Sequence, residues 1–306
     1  MKVLSDKQNE ALEKMKNLAA ELGSEAAACK QAGISQSVYT AVKKGTYTGD
    51  VDKQLAKVID YFATKEAAAV LYAGTGYVPT TISSDVQKVI RNCQLQGGLA
   101  IACGDAGIGK TEACKEYSRK HSTTCVYVTV NPCIKSAKAV LELIGAQINV
   151  SSGSVSRLWL DITAKLSDGM VIIIDEAQHL TYKTIESLRS ICDYFDAKGQ
   201  TLGIAFVGNE TTVNQLGGKQ KAEFAQIRNR TKNTRIYSSK KVQRSDIELL
   251  FPELVDDVPA LEFMLRIAQS SQAVRGAVNL YSNAHDNGNV THKGLVAMAK
   301  YMDMAV

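Results

Sequence analysis

The chain has 306 residues, of which 45% are hydrophobic and 22% charged, with a formal net charge of +5 and seven cysteines. This length can bury a substantial core and favours more than one domain. No run of about 18 apolar residues is present, so no membrane span is expected, and the charged N-terminal stretch does not fit a signal peptide. An odd number of cysteines without CxxC pairs is a poor disulfide framework and favours a reducing, cytoplasmic compartment.

Residues 1–75 have a helical pattern and are predicted to form an all-α domain that ends in the linker YAGTGYVPTT. Ser24 can cap a short alanine-rich helix, Gly33 suits a turn with positive φ, and Ser35 can cap the next helix. This arrangement resembles the small repressor-type helix-turn-helix, whose second helix enters the major groove. The alternative is a three-helix interaction module, and acids nearly balance bases here, which predicts weak DNA affinity. The predicted DNA contacts are Gln36, Ser37, Lys43 and Lys44.

Residues 76–238 alternate apolar runs with amphipathic helical patterns, which predicts a parallel sheet with helices on both faces. The predicted strands are GLAIAC, TCVYVTV, GMVIIID and LGIAFVG, and TRIYSS at Thr234–Ser239 could add one more. Residues 239–306 return to helical spacing without a clear strand and are predicted to form a small helical domain.

The segment GDAGIGKT follows the first predicted strand, precedes a helix and matches the phosphate-binding pattern G-x-x-x-x-G-K-[ST]. In such a loop, backbone N–H groups and the positive end of the helix surround the β-phosphate. Lys110 is expected to reach the β- and γ-phosphates, and Thr111 is expected to bind Mg²⁺. The predicted nucleotide contacts of the loop are Gly104, Asp105, Ala106, Gly107, Ile108, Gly109, Lys110 and Thr111.

Polar side chains follow two further apolar strands. Asp175 and Glu176 end the run GMVIIID, so Asp175 is expected to hold Mg²⁺ through water and Glu176 to polarise the attacking water. Asn209 follows LGIAFVG. If that strand lies between the other two, the Asn209 amide can orient the same water. The alternative is a turn residue, because Gly-Asn is typical of turns.

Residues 217–244 contain nine Lys and Arg against one Glu, a net charge of +8. This concentration predicts a surface for the phosphates of DNA. The alternatives are interfacial charges, arginine fingers or a solvated face. A second candidate contact lies just beyond the strand TCVYVTV. The predicted DNA contacts of these two stretches are Lys135, Lys138, Lys219 and Lys221.

The order GDAGIGKT, VIIIDEA, VGNE, AEFAQIRNRT and AVRGAVNL resembles an AAA+ ATPase over roughly residues 80–290. The resemblance implies a fold of the α/β class, with an AAA+ P-loop NTPase core between the two helical domains. It also implies that Asn209 is sensor 1 and that Arg275, on the lid helix, is a sensor 2 arginine that touches the nucleotide. Arg228 or Arg230 would be an arginine finger that completes the site of a neighbouring subunit, which requires a ring or a helical oligomer.

The fused helix-turn-helix pattern, the AAA+ pattern and the short helical tail together resemble the family of the phage Mu B transposition protein. This resemblance implies ATP and Mg²⁺ as cofactors, and double-stranded DNA and a transposase as partners. It further implies filaments on DNA with little sequence preference, target selection, and the cytoplasm of a bacterial host, with a phage or prophage gene. The alternatives are a helicase loader or initiator-type AAA+ ATPase, and a nucleotide-sensing phage DNA-binding regulator, against which Glu176 argues.

Overall fold

The structure is a computed structural model that describes residues 4–72, 76–212 and 230–304. The chain divides into two compact units, residues 1–76 and 77–306, and this division falls within the predicted linker. The predicted boundary between residues 238 and 239 lies within the second unit and stays a prediction. None of the described helices combines the length and the apolar character needed to cross a membrane.

The described part of the first unit is helical, and its turns form where the sequence places small polar residues. Ser24 and Ser35 accept hydrogen bonds from backbone N–H groups of the helices that they cap, and Gly33 has φ +68° in the turn between these helices. Tyr39 is 1% exposed and is the largest side chain of the small core. The helices are α1 (Asp6–Glu21), α2 (Glu25–Gln31), α3 (Gln36–Lys43) and α4 (Val51–Tyr72).

The second unit is built on a parallel sheet in the order β2-β3-β4-β1-β5. The fifth strand begins at Thr231 and not at Thr234, and it lies beside β1. The strands are β1 (Gly98–Gly104), β2 (Cys125–Thr129), β3 (Met170–Asp175), β4 (Leu202–Gly208) and β5 (Thr231–Tyr237). The helices are α5 (Thr81–Gln96), α6 (Lys110–Lys120), α7 (Ala137–Gln147), α8 (Val155–Lys165), α9 (Tyr182–Asp196), α10 (Arg244–Leu250), α11 (Val258–Gln269), α12 (Ala273–Asp286) and α13 (His292–Tyr301).

Helices cover both faces of this sheet, because successive residues of a strand point to opposite sides. Leu99 and Ile101 of β1 pack with residues of α7, α8 and α9, whereas Ala100 and Ala102 pack with residues of α5, α6 and the C-terminal helices. Strands buried on both faces read as continuous apolar runs. The covered parallel sheet is therefore the one that the sequence predicts, and its carboxyl edge receives the polar side chains.

A buried carboxylate fastens the C-terminal helices to the start of α5. Asp246 is 1% exposed. Its Oδ1 accepts hydrogen bonds from the Thr81 N–H (2.6 Å) and the Thr81 hydroxyl (2.9 Å), and its Oδ2 accepts one from the Gln243 N–H (2.9 Å). One side chain thus satisfies donors at the N-termini of two helices that are far apart in sequence.

We expect Asp246→Ala to lower the free energy of unfolding by about 1–3 kcal/mol, because it removes a buried acceptor that is shared by three part-buried hydrogen bonds. Thermal and urea unfolding followed by circular dichroism would measure this effect. Asp256→Ala is the matched control, since Asp256 is exposed and its loss should change stability by less than about 0.5 kcal/mol. Equal stability of the two variants would contradict the anchoring role of Asp246.

Candidate nucleotide-binding site

The loop between β1 and α6 has its conformation fixed by glycines. Gly104, Gly107 and Gly109 have φ values of +148°, +75° and +95°, which residues other than glycine rarely adopt. A Cβ placed on Gly104 would also lie 1.9 Å from the backbone oxygen of Tyr237 in β5. Glycine at position 104 therefore allows the close approach of β5, and the three glycines together allow the inward turn of the loop.

Lys110 begins α6 and its side chain turns back into the loop. The residue is 9% exposed, and Nζ donates to the backbone oxygens of Gly104 (3.0 Å) and Asp105 (2.6 Å). Burial lowers the pKa of the Lys110 ammonium, while the nearby Asp175 and Glu176 carboxylates oppose that change. A buried ammonium held by loop carbonyls is placed to meet an anion that enters the loop.

The Asp105 side chain connects the loop to the segment that leads into the C-terminal helices. Its Oδ2 accepts hydrogen bonds from the Ser239 N–H (2.7 Å) and the Ser238 hydroxyl (3.1 Å). These donors, first that of the Ser239 backbone, lower the pKa of the Asp105 carboxyl. The sequence predicts Asp105 as a loop residue but carries no signal for this contact, because its partners lie more than a hundred residues away.

Arg275 lies against the loop through its backbone. Its N–H donates to the Gly107 oxygen at 2.9 Å, and a Cβ placed on Gly107 would lie 3.0 Å from the Arg275 Cβ. Ala273, at the start of α12, has φ +54°, a conformation that costs energy in a residue with a side chain. The structure therefore brings the predicted lid residue to the phosphate loop, while the contact of its guanidinium with a nucleotide stays a prediction.

Asp175 is buried at the carboxyl end of β3, with only 2% of the residue exposed. Its carboxylate accepts hydrogen bonds from the Glu176 N–H (2.9 Å) and the Tyr127 hydroxyl (3.1 Å). Burial raises the pKa of the Asp175 carboxyl, while the nearby Thr111 hydroxyl and these two donors oppose the rise. The two predicted Mg²⁺ ligands, Thr111 and Asp175, thus lie near each other. Tyr127, which reaches Asp175 from the neighbouring strand β2, has no signal in the sequence that marks it as part of the site.

A magnesium ion would need further ligands besides these two. Within residues 4–72, 76–212 and 230–304, no group of three or more His, Cys, Asp and Glu side chains could hold a metal ion alone. Mg²⁺ commonly keeps several waters and is bound through one or two carboxylates together with substrate phosphates. Thr111 and Asp175 beside a phosphate-binding loop fit that kind of site.

Glu176 and Asn209 lie at the same edge of the sheet. Glu176 follows β3 with φ +58°. Asn209 follows β4, which lies between β1 and β3, as the predicted role of Asn209 requires. The Asn209 Oδ1 accepts hydrogen bonds from the N–H (3.0 Å) and the hydroxyl of Thr211. Asn209 therefore has the turn contact of the alternative interpretation, and its action on a water stays a prediction.

Arg230 lies at the edge of the sheet formed by the amino ends of the strands, whereas the phosphate loop follows the carboxyl end of β1. It immediately precedes β5, whose first residue is paired with Leu99 near the beginning of β1. Its guanidinium forms ion pairs with Asp193 and Asp196 of α9, each at 3.0 Å. The structure thus does not bring Arg230 to the nucleotide site of its own chain. Three predicted residues lie outside the described residues: Lys219, Lys221 and Arg228.

The remaining predicted DNA contacts are on the surface of their units. Lys135 and Lys138 are exposed, and Lys138 Nζ lies 3.8 Å from a carboxylate oxygen of Glu142. In the first unit, Lys43 Nζ is 2.9 Å from a carboxylate oxygen of Glu25. The other three are exposed on or next to α3: Gln36, Ser37 and Lys44.

Residues 93–216 match a family described as AAA domain. DNA transposition protein B of the Mu-like prophage FluMu of Haemophilus influenzae is 26% identical over 262 residues, which cover 83% of this chain and 88% of that relative. ATP-dependent target DNA activator B of Escherichia phage Mu is 27% identical over 252 residues, which cover 80% of this chain and 78% of the relative. The resemblance to the Mu B family is confirmed.

Similar solved structures show the fold. The ORC2 protein of Aeropyrum pernix, in ADPNP–ADP complexes, has a TM-score of 0.52 at 15% identity, covering 71% of this chain and 66% of that one. The ORC1 protein of the same organism, in complex with DNA, has a TM-score of 0.50 at 12% identity, covering 76% and 69%. The second unit therefore has the predicted AAA+ P-loop NTPase fold, a five-stranded parallel sheet flanked by helices.

Proposed function

We propose that the protein is an ATP-dependent, largely sequence-independent DNA-binding AAA+ ATPase that assembles on DNA, selects target DNA and activates a transposase in the cytoplasm of a bacterial host. The observation that carries this proposal is the meeting of the phosphate loop, Asp175 and Glu176 at one edge of the sheet. The name ATP-dependent target DNA activator B, which two relatives bear, supports the proposal that ATP serves DNA targeting here.

Each polar group at this edge has a role in phosphoryl transfer to water. The buried Lys110 ammonium binds the β- and γ-phosphates in place of its present carbonyl partners. Thr111 and Asp175 would hold Mg²⁺, which would neutralise charge on the phosphates. Glu176 takes a proton from the attacking water, and Asn209 orients that water. Arg275 is already held on the loop through its backbone, and its side chain contacts the bound nucleotide.

The proposed oligomer follows from the position of Arg230. It lies at the edge of the sheet opposite its own phosphate loop, so an arginine finger at Arg230 would act on a neighbouring subunit, and the same role is proposed for the alternative finger, Arg228. A site shared by two subunits couples nucleotide state to assembly, because loss of the γ-phosphate weakens the junction. A helical filament or a ring satisfies this requirement.

The first unit is proposed to contact duplex DNA through α3. A shallow groove of about 480 Å³ lies along this helix and is lined by Gln36, Ser37, Thr40, Ala41, Lys44 and Thr46. Amide, hydroxyl and ammonium groups are those that contact base edges and phosphates. Residues 1–76 contain ten lysines against nine acidic residues, so most of the electrostatic affinity is assigned to the second unit.

Lys44 and Lys43 provide a matched test of this surface. Lys43 is paired with Glu25, whereas Lys44 lines the groove. We expect Lys44→Ala to weaken DNA binding by a similar factor for all sequences and to reduce the slope of log K against log salt by about 1. Lys43→Ala should change the slope less. Fluorescence anisotropy with labelled duplex over a range of salt measures both, and equal slopes in all three proteins would remove α3 from the DNA interface.

ATP turnover with and without duplex DNA, together with negative-stain imaging under ATP and under ADP, tests the proposed function. Turnover stimulated by DNA and filaments that require ATP would support it. Small closed rings that bind a helicase and not a transposase would favour the loader or initiator alternative. Absence of turnover with retained nucleotide binding would favour the regulator.

A further inference from the structure

The Gln178 side chain lies between Glu176 and the end of β4. It belongs to the short 3-10 helix Ala177–His179 that follows β3, and it is half-buried. Its Nε2 donates to the Glu176 Oε2 at 2.5 Å, and its Oε1 accepts the Asn209 N–H at 3.2 Å. Both ends of one amide are thus used, one on the proposed base and the other on the backbone beyond β4.

The orientation of this amide is determined by its partners. An ionised carboxylate only accepts hydrogen bonds and a backbone N–H only donates, so a flipped amide would lose both contacts. The room for Oε1 depends on Gly208, where a Cβ would lie 2.4 Å from this atom. The last residue of β4 is therefore small where the Gln178 amide approaches.

Gln178 also accounts for the orientation of the Glu176 carboxylate. The Glu176 backbone is held by its N–H, which donates to the Asp175 Oδ1 at 2.9 Å. Among the contacts of the described residues, Gln178 is the only side chain that donates to the Glu176 carboxylate. A carboxylate held by a single neutral donor takes its direction from that donor.

We infer that Gln178 is a positioning residue for ATP hydrolysis. Its amide links the Glu176 carboxylate to the Asn209 backbone at the end of β4 and thereby aligns the carboxylate with the attacking water. The inference rests on the proposed ATPase function. Its sequence signal is the Gln two residues after the acidic pair, in DEAQ, with Gly-Asn after the next strand. Gln178 neither forms a hydrogen bond to the phosphate loop nor supplies a charge, so it acts on the chemical step and not on ATP binding.

Two substitutions at this position distinguish the contact of Gln178 with the Glu176 carboxylate from its contact with the Asn209 N–H at the end of β4. Gln178→Met keeps the length of the side chain and removes both hydrogen bonds. Gln178→Glu keeps an acceptor for the Asn209 N–H but replaces the donor to Glu176 by a like charge. The matched control is Gln87→Met, which removes one amide hydrogen bond, from Gln87 Nε2 to the Ala113 oxygen (3.3 Å), at another half-buried position.

For both Gln178 variants we expect kcat for ATP to fall about tenfold or more, because a misdirected base loses alignment with the water. In Gln178→Met, which adds no charge, the ATP Kd and the thermal midpoint should stay at the wild-type values. The Gln87 variant should keep the wild-type kcat. Steady-state kinetics, nucleotide titration and thermal unfolding of the full chain measure these quantities.

Three results would overturn the inference. A Gln178→Glu variant with wild-type kcat would show that support of Asn209 is the whole role. Wild-type kcat in Gln178→Met would show no role in hydrolysis, and a parallel loss of ATP affinity or thermal stability would show a structural one. If the wild-type chain does not turn over ATP, the proposed function fails as well. That failure is recognised in the wild type, before any variant is compared.

Discussion

Replacing Lys110 by alanine is expected to lower the affinity for ATP by about 100-fold, because it removes a charged donor to the phosphates from a buried position. Assembly on DNA under ATP should be lost with it. Calorimetric titration of ATP into wild type and Lys110→Ala measures the first effect, and imaging with duplex DNA measures the second.

The fold without nucleotide should not suffer from this change. Burial lowers the pKa of Lys110, which means that the charged form is destabilised by folding. A lysine with a lowered folded-state pKa carries this cost at every pH below that pKa, and the cost disappears as the pH rises towards the unfolded value. Loss of the hydrogen bonds from Nζ to two loop carbonyls acts in the opposite direction, so we expect the thermal midpoint of ATP-free Lys110→Ala to stay close to that of the wild type at neutral pH.

Lys115→Ala is the matched control for this prediction. Lys115 lies on the same helix, is exposed, and pairs with Glu112 at 2.8 Å. Its loss should leave ATP affinity unchanged, since exposed pairs contribute little and the side chain lies outside the loop. Wild-type ATP affinity in Lys110→Ala would remove the phosphate loop from the proposed function, and a large loss of stability would assign Lys110 a structural role.

The core of the fold could be predicted because its signals are local. The strand preceding Gly104 and the strand ending at Asp175 read as continuous apolar runs, as strands covered on both faces do. The glycine spacing and Lys110 follow at once from the phosphate-loop pattern. The predicted role of Asn209 requires β4 to lie between β1 and β3, and the structure has this order.

The contacts that join these parts could not be predicted, because they depend on residues far apart in the chain. Tyr127 reaches Asp175 only because β2 lies beside β3. Ser239 reaches Asp105 only because β5 ends beside β1. Neither position carries a composition or spacing that marks it. The beginning of β5 at Thr231 was missed for a related reason, since its polar residues suit an edge strand and not a buried one.

Replacing Glu176 by glutamine is expected to lower kcat for ATP by about 10²–10⁴-fold, the usual range for loss of a general base. The new side chain has the same shape, and its amide oxygen can still accept from the Gln178 Nε2, so the loop and the β4 end should keep their positions. ATP affinity should therefore stay near the wild-type value. Single-turnover kinetics and nucleotide titration separate these two quantities.

The same variant should remain on DNA for much longer than the wild type under ATP. If hydrolysis weakens a junction between subunits, a protein that binds ATP without cleaving it keeps the junction closed, whereas Lys110→Ala never forms it. Dissociation from labelled duplex after a salt or competitor challenge measures this difference. Glu112→Gln, an exposed change in the first turn of α6, is the control and should dissociate like the wild type. Rapid release of Glu176→Gln with its ATP still intact would show that hydrolysis does not set the lifetime of the DNA complex.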